Sequence, residues 1–293
     1  MTRTVAASFA AEPSWRGRGL AILRFIGFAV VFVVANLAIH PLLGPLHRRI
    51  TVTEGHMLLE MVALGGIVLA LTAVFARMGG RTIGAYGYRG PHAARNFAVG
   101  LASGFVLLAA QLLLMKALGC YSFGAAAPFS ATLVFNAVFL AVLFLTVGFT
   151  EEALFRGFAL VELSRAISFW PAAILLCLLF GTLHGLKGDG ENILGGAQAV
   201  LFGLALAFSF RQTGSLWLGI GYHAVWDYSE SFIFGAPDSG LVSVGRLLHP
   251  AIQGPDWLSG GLAGPEGSVL TVVPTLGIAA IAWIAGRRRA GLV

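Results

Sequence analysis

The sequence predicts an all-α polytopic membrane protein, with about eight transmembrane helices that enclose a polar cavity inside the membrane. Two observations predict this class. Hydrophobic residues make up 57% of the 293 residues, charged residues only 11%, and the mean hydropathy is +0.85. A soluble domain carries about 25% charged residues, so this chain cannot hide its apolar surface from water. The apolar residues also gather into runs of about 20, the length that crosses a bilayer as a helix.

Eight apolar runs are predicted to span the membrane, and they form a single transmembrane domain over residues 19–293, because no repeat of fixed period divides it. They cover residues 20–43, 57–76, 97–118, 131–148, 169–186, 193–210, 215–234 and 268–285. Residues 1–18 are small, polar and basic, and predict a cytoplasmic tail. A cleaved signal peptide is the alternative, but the long basic leader and the length of the first run favour a retained helix.

The basic residues indicate the orientation of the chain and exclude one class of partner. Most of the 19 lysines and arginines lie in segments that the eight spans place on the same face of the membrane as the N-terminus. The positive-inside rule therefore puts both termini in the cytoplasm. The net charge of +6 therefore reflects topology and not nucleic-acid binding. The Ala-, Gly- and Arg-rich composition predicts a multi-pass protein of a bacterial inner (plasma) membrane.

The first polar motif lies directly after the fourth run, at residues 150–156. It contains two adjacent carboxylates, Glu151 and Glu152, and Arg156. A charge in hydrocarbon costs roughly 2.5–3.5 kcal/mol even on lenient scales, so such residues pair, face a cavity or do chemistry. In a helix Glu152 and Arg156 share a face, whereas Glu151 points about 100° away. The alternative is a plain ion pair at the end of a span.

Two further motifs repeat this pattern of polar residues in apolar helices. His184 follows Phe180 by four residues at the end of the fifth run, and Asp227 follows His223 by four residues in the seventh. A turn near residues 166–168 makes a helical hairpin in which Glu151 and His184 both lie roughly 25 Å from the turn. Asp227 comes to a similar depth, so we expect the three motifs to meet. A packing histidine and an intrahelical hydrogen bond are the alternatives for these two motifs taken singly.

Other polar residues receive weaker interpretations. Glu230, seven residues after His223, lies on roughly the same helix face and can line the same cavity. Asp189 and Glu191 belong to a Gly-rich loop and are expected to be solvated. Four further histidines, at span ends or in loops, are interpreted as interfacial: His40, His47, His56 and His249.

Together the three motifs resemble the family of CAAX proteases and bacteriocin-processing enzymes, which includes the type II CAAX prenyl endopeptidases. The family pattern is EExxxR, FxxxH and HxxxN or HxxxD on successive membrane helices. Here it corresponds to Glu151, Glu152, Arg156, Phe180, His184, His223 and Asp227. The matched core covers residues 149–234, and the first four spans and the tail add no motif.

The resemblance implies an intramembrane endopeptidase. Glu151 and His184 would activate the attacking water, His223 and Asp227 would stabilise the oxyanion, and Glu152 and Arg156 would brace the site. Asp227 stands where the prenyl endopeptidases carry asparagine. Since an ionised carboxylate donates no hydrogen bond, Asp227 would instead orient His223 or help to bind a metal, and the orienting role is favoured.

The residues leave the metal requirement and the substrate open. Glu151, His184 and His223 suit a zinc ion and a metal-free glutamate base equally well. The expected partners are the lipid bilayer and a peptide or membrane-associated protein substrate.

Two other functions remain as alternatives to proteolysis. One is a non-catalytic scaffold or bacteriocin-immunity protein with the same fold. The other is an ion or proton transporter, which the absence of inverted repeats in the sequence disfavours.

Overall fold

The computed structural model describes residues 14–48, 50, 53–90, 92–186 and 193–289. Residues 1–13 of the predicted tail, and the predicted loop acids Asp189 and Glu191, lie outside this part of the chain. The fold is an all-α helical bundle, as the sequence predicts.

The helices follow the apolar runs, with longer ends than predicted for most of them. Their bounds are α1 Trp15–His47, α2 Thr53–Met78, α3 Ala93–Ala117, α4 Ala131–Glu152, α5 Ala159–Ile167, α6 Phe169–Gly185, α7 Ile193–Thr213, α8 Trp217–Tyr228, α9 Asp256–Ser259 and α10 Val272–Arg289. A π-helical segment, Ala153–Phe158, joins α4 to α5, and a π-helical turn, Ser229–Ile233, extends α8. Four 3₁₀ turns complete the connections: Ile83–Tyr86, Gly261–Ala263, Pro265–Gly267 and Val269–Thr271.

Six helices of the described residues are long and apolar enough to cross a membrane. They are α1, α2, α3, the kinked helix that runs from α4 through α5, α7 and α10. The predicted fifth and seventh spans correspond to α6 and α8, with 17 and 12 residues. Because a bilayer needs about 20 helical residues, the predicted count of eight complete spans is not confirmed.

The short helices α6 and α8 determine where the polar motifs lie. Helix α5 ends at Ile167 and α6 starts at Phe169, so the hairpin turn falls where the sequence predicts it. Ser168 makes this turn with φ 76° and ψ 166°. At 1.5 Å per residue, α6 rises roughly 25 Å before it ends beside His184. His184 therefore lies in the last turn of α6, whereas His223 lies midway along α8 and its π-helical extension.

Helix α8 is the centre of the bundle and packs against α3, α4 and α7. Small residues allow close approach at these contacts. A Cβ atom on Gly104 of α3 would lie 2.7 Å from the carbonyl oxygen of Tyr222, and one on Gly148 of α4 would lie 2.9 Å from the amide nitrogen of Ala224. The two glycines thus let the backbones of α3 and α4 pack directly against the backbone of α8. This close packing holds His223 at a fixed depth in the bundle.

A two-stranded antiparallel ribbon, which the sequence analysis did not predict, covers the end of the bundle opposite the N-terminus. Strand β1, Tyr121–Ala126, pairs with β2, Leu248–Ile252, with Tyr121 opposite Ile252 and Ala126 opposite Leu248. The register shifts between Ser122 and Ala125, where Gly124 takes φ 67°. The hydroxyl of Tyr121 donates to the carbonyl oxygen of Phe234 at 3.0 Å, which ties the ribbon to the segment after α8.

A buried glutamate anchors the other end of the bundle. Glu162 of α5 is fully buried, and its carboxylate lies 3.2 Å from Arg81, 3.4 Å from Arg165 and 3.9 Å from Arg24. The hydroxyl of Tyr86 donates to it at 2.9 Å. Burial, and then the charge of Glu162, raise the pKa of Tyr86, so this phenol keeps the proton that it donates. The cluster joins α1, α5 and the loop after α2.

Candidate active site

A cavity of about 670 Å³ lies among α2, α4, α6, α7 and α8 and extends to the loops after α8. Of the six site residues predicted from the sequence, four line it: Glu151, His184, His223 and Asp227. The other two, Glu152 and Arg156, lie behind the wall, each 1% exposed. The structure thus brings the three sequence motifs into one place.

Glu151 and His184 face each other across the cavity. Glu151 is the penultimate residue of α4 and His184 lies in the last turn of α6. The distance from Glu151 Oε2 to His184 Nε2 is 4.0 Å, and their side chains are 18% and 14% exposed. A water molecule that donates one hydrogen bond of about 2.8 Å to each atom fits this separation, because the resulting angle is close to that of water. The pair can therefore hold and deprotonate one water.

His223 completes the group from α8. Its Nε2 atom lies 3.7 Å from Glu151 Oε2 and 3.6 Å from Asp227 Oδ2. Its Nδ1 atom makes a hydrogen bond of 3.2 Å to Glu152 Oε1. Glu152 thus makes a hydrogen bond that orients the ring from its Nδ1 edge, a contact that the sequence analysis does not predict. Asp227 instead flanks the Nε2 edge, on the cavity side.

The two imidazoles present the same edge to the cavity. His184 Nδ1 is 2.9 Å from the carbonyl oxygen of Phe180, an atom that can only accept, so Nδ1 carries the proton. The same reasoning applies to His223 Nδ1 and the ionised Glu152. In their neutral forms both rings therefore turn an unprotonated Nε2 to the cavity, and either ring can accept a proton there.

The buried ion pair of Glu152 and Arg156 braces this arrangement. Arg156 Nη1 donates to Glu152 Oε1 at 3.0 Å, as the four-residue spacing predicts. The guanidinium group also lies 4.6 Å from the ring centroid of Phe180 on α6. Glycines leave the space for it: a Cβ on Gly203 would lie 2.7 Å from Arg156 Nη2, and one on Gly219 would lie 3.0 Å from Glu152 Oε2. Four helices thus meet around one pair of opposite charges.

A change of helical geometry directly follows Glu151 and Glu152. From Ala153 to Phe158 the helix is π-helical, and Gly157 has ψ −115°, outside any helix. Such single-turn insertions are frequent at functional sites because they reorient neighbouring side chains. Sequence reasoning missed this feature, for which Gly157 was the only local signal.

Sequence reasoning also missed several polar residues of the cavity. His56 and Glu60 of α2 line it, although His56 was interpreted as interfacial. Their four-residue spacing is the signal that pointed to a common face. Asp238 and Glu266 line it from loops, where no sequence periodicity reveals them. Glu230 is fully buried close behind, and it interacts electrostatically with Asp227.

The residues predicted as zinc ligands do not fit a three-ligand zinc ion in this arrangement. Zinc ligands lie about 2.0–2.2 Å from the ion, so no two of them are more than about 4.4 Å apart. Glu151 satisfies this with each histidine, at 4.0 and 3.7 Å. Within the described part of the chain, however, Glu151, His184 and His223 do not form a group whose ligand atoms all lie within 4.8 Å of one another.

Comparison with protein-family models finds a match over the residues of this site. Residues 133–229 match the family described as type II CAAX prenyl endopeptidase Rce1-like. The match covers about a third of the chain and includes all six predicted site residues. It confirms the resemblance found in the three motifs and supports a CAAX-protease-like intramembrane endopeptidase with a peptide substrate. No curated protein matches the chain.

Proposed function

We propose that this protein hydrolyses peptide bonds inside the membrane with a water molecule that Glu151 activates. One observation carries the proposal: Glu151, His184 and His223 come from three different helices and converge on one cavity, with Glu151 Oε2 within 4.0 Å of both rings. Ionisable groups at membrane depth are costly, so a group of them facing one cavity marks a functional site.

Water activation is the first step of the proposed reaction. The attacking water lies between Glu151 Oε2 and His184 Nε2 and donates a hydrogen bond to each. Glu151 removes one proton as the oxygen attacks the substrate carbonyl, and His184 keeps the water aligned through the other. Both groups are partly exposed to the cavity, so water reaches them without crossing hydrocarbon.

The second step is stabilisation of the negative charge that develops on the carbonyl oxygen. In this proposal His223, carrying a proton on Nε2, donates to the oxyanion. Glu152 fixes the opposite edge of the ring, and the carboxylate of Asp227, 3.6 Å from Nε2, attracts the positive charge of the ring. Glu151 then passes its proton to the leaving amine, which completes the hydrolysis.

Cleavage of quenched peptides by the purified protein tests this function. A library of membrane-associated peptides is incubated with the wild type, Glu151→Gln and a matched control, Glu60→Gln, which makes the same change on the rim of the same cavity. Loss of a general base lowers the rate by about 10²–10⁴-fold, so Glu151→Gln should abolish cleavage while Glu60→Gln retains it. Cleavage by Glu151→Gln at the wild-type rate would contradict the role of Glu151 as the base. Absence of cleavage by the wild type itself would leave the scaffold function.

Chelation separates the glutamate mechanism from the metal one. We expect activity to persist after exhaustive treatment with a strong zinc chelator, because the spacing of the three groups does not suit a shared zinc ion. An activity that is lost on chelation and restored by zinc alone would show that the glutamate mechanism is wrong.

We further propose that the protein resides in a bacterial inner membrane and that the cavity opens on its outer side. The cavity reaches the first turn of α2 and the loops at Asp238 and Glu266. Arg77, Arg165 and Arg211, in the last turns of α2, α5 and α7, lie at the opposite end, where they indicate the cytoplasm.

A further inference from the structure

Three carboxylates gather at the mouth of the cavity, beside the proposed catalytic groups. Asp227 belongs to α8, Asp238 to the loop that follows it, and Glu266 to the 3₁₀ turn Pro265–Gly267. One oxygen from each residue lies within 4.8 Å of the oxygens from the other two. Asp227 is buried and the other two are half-buried. The three come from separate segments, so the fold and not a helix periodicity brings them together.

A fourth acidic group lies behind them and is fully buried. Glu230 is 0% exposed, and neither oxygen of its carboxyl group has a hydrogen-bond partner. The indole N–H of Trp226 is near this carboxyl group but also lacks hydrogen-bond geometry. The charges that act on Glu230 are those of Glu266, Asp238 and Asp227, in decreasing order. A fully buried carboxyl group without hydrogen bonds, close enough to three others to feel their charge, is costly, and a cation bound among them would offset that cost.

We propose that Asp227, Asp238 and Glu266 bind a divalent cation, specifically Ca²⁺. All three donors are carboxylate oxygens, which hard cations prefer, and neither nitrogen nor sulfur takes part. Ca²⁺ takes six to eight oxygen ligands in flexible geometry, so oxygens that all lie within 4.8 Å of one another can share one ion. Mg²⁺ demands near-ideal octahedral geometry, keeps several waters and is usually held by one or two carboxylates, so three carboxylates from separate segments favour Ca²⁺.

Neighbouring hydroxyl groups hold two of these carboxylates in place. Ser231 donates to Asp238 Oδ2 at 3.1 Å, and Ser239 donates to Glu266 Oε2 at 3.0 Å. Hydrogen bonds of this kind restrict the rotation of ligating carboxylates and are typical of metal sites. The side chains are therefore arranged before any cation binds.

The position of the cation gives it a structural effect and an electrostatic one. It links α8 to the two loops that form the mouth of the cavity. It also offsets the repulsion among four acidic groups next to His223, whose Nε2 lies 3.6 Å from Asp227. Binding itself does not need Glu151 or His184, so it persists even if the protein proves not to be a protease.

Terbium luminescence and thermal unfolding of the purified full chain test the site. Tb³⁺ is a probe for Ca²⁺ sites, and Trp226, adjacent to Asp227 and lining the same cavity, is placed to sensitise its emission. We expect saturable Tb³⁺ emission that Ca²⁺ displaces at lower concentration than Mg²⁺, and a higher melting temperature in Ca²⁺ than in chelator. The doubly substituted Asp238→Asn/Glu266→Gln variant should bind at least tenfold more weakly.

Control variants make the outcome specific. Asp256→Asn removes an exposed aspartate from the same group of loops but outside the cluster, and should keep wild-type affinity, as should Glu151→Gln. If the double variant does not fold, Glu266→Gln alone is compared with Asp256→Asn. Absence of saturable Tb³⁺ binding to the wild type would overturn the proposal, as would equal affinities of the cluster and control variants. Displacement by Mg²⁺ at the same concentration as Ca²⁺ would refute the assignment to Ca²⁺.

Discussion

The buried pair of Glu152 and Arg156 allows a prediction with a defined magnitude. Both side chains are 1% exposed and their charged atoms are 3.0 Å apart. Replacing Arg156 with leucine leaves the carboxylate of Glu152 buried without its counter-ion, which costs about 3–5 kcal/mol in comparable buried pairs. Solvent screening, which weakens surface pairs, does not reduce this value because water does not reach either group.

The second variant removes both charges. Glu152→Gln/Arg156→Leu leaves no uncompensated charge, and its glutamine oxygen can still accept from His223 Nδ1. We therefore expect the double variant to be more stable than Arg156→Leu alone, by about 2–3 kcal/mol. This order is the distinctive result, because a loss of packing alone would make the double variant the less stable one.

Thermal unfolding in detergent measures both effects. For a chain of this size a loss of 3–5 kcal/mol lowers the melting temperature by on the order of 10 °C. Arg95→Leu, at an exposed position in the first turn of α3, is the matched control and should change stability by less than about 0.5 kcal/mol. The reasoning is refuted if Arg156→Leu melts with the control, or if the double variant melts below Arg156→Leu.

Three further substitutions test other parts of the structure. Gly203→Ala places a methyl group 2.7 Å from Arg156 Nη2 and should lower the free energy of unfolding by about 1–3 kcal/mol and also lower kcat/KM. The control Gly66→Ala, with open space around its Cβ, should change neither, and equal kinetics and melting temperatures for the two variants would contradict this. Glu162→Gln leaves three neighbouring arginines without their shared carboxylate and should lower stability by roughly 2–3 kcal/mol, measured against Glu60→Gln. Ser168→Gly relieves a serine at φ 76° and ψ 166° and should raise the melting temperature by an amount equivalent to about 1 kcal/mol, whereas Ser130→Gly, which removes a helix cap, should lower it.

Hydropathy was sufficient to predict the bundle because each helix must present apolar side chains to lipid or to its neighbours. The meeting of the three motifs was also predictable, since the helical rise and the turn near Ser168 fix the depth of Glu151 and His184. The orientation of His223 was not. Its ring is held by Glu152, and that contact depends on how α8 rotates against α4, which a sequence period does not specify.

Apart from His56 and Glu60, the residues that sequence reasoning missed share one property: they make their contacts with segments that are distant in the sequence. Glu162 meets Arg81 and Arg24 only because α1 and the loop after α2 pack against α5. Asp238 and Glu266 lie in irregular loops, where neither the period of a helix nor that of a strand assigns a direction to a side chain. The ribbon of β1 and β2 joins segments more than 120 residues apart, so no local hairpin signal exists for it.

The direction of access to the site follows from the two short helices. Helix α6 starts at the arginine-rich end and ends at the cavity, so the carbonyl groups of its last turn need water or protein partners that lipid cannot provide, whereas α8 continues into the buried π-helical turn Ser229–Ile233. The arginine-rich end is closed by the Glu162 cluster and by stacked rings, with Phe28 and Phe158 4.7 Å apart. In the proposed function, water and substrate therefore arrive from the opposite end, between α2 and the loops at Asp238 and Glu266, which line the cavity. A peptide that cannot cross the membrane should therefore be cut by intact bacterial cells, and cleavage only by inside-out vesicles would reverse this direction.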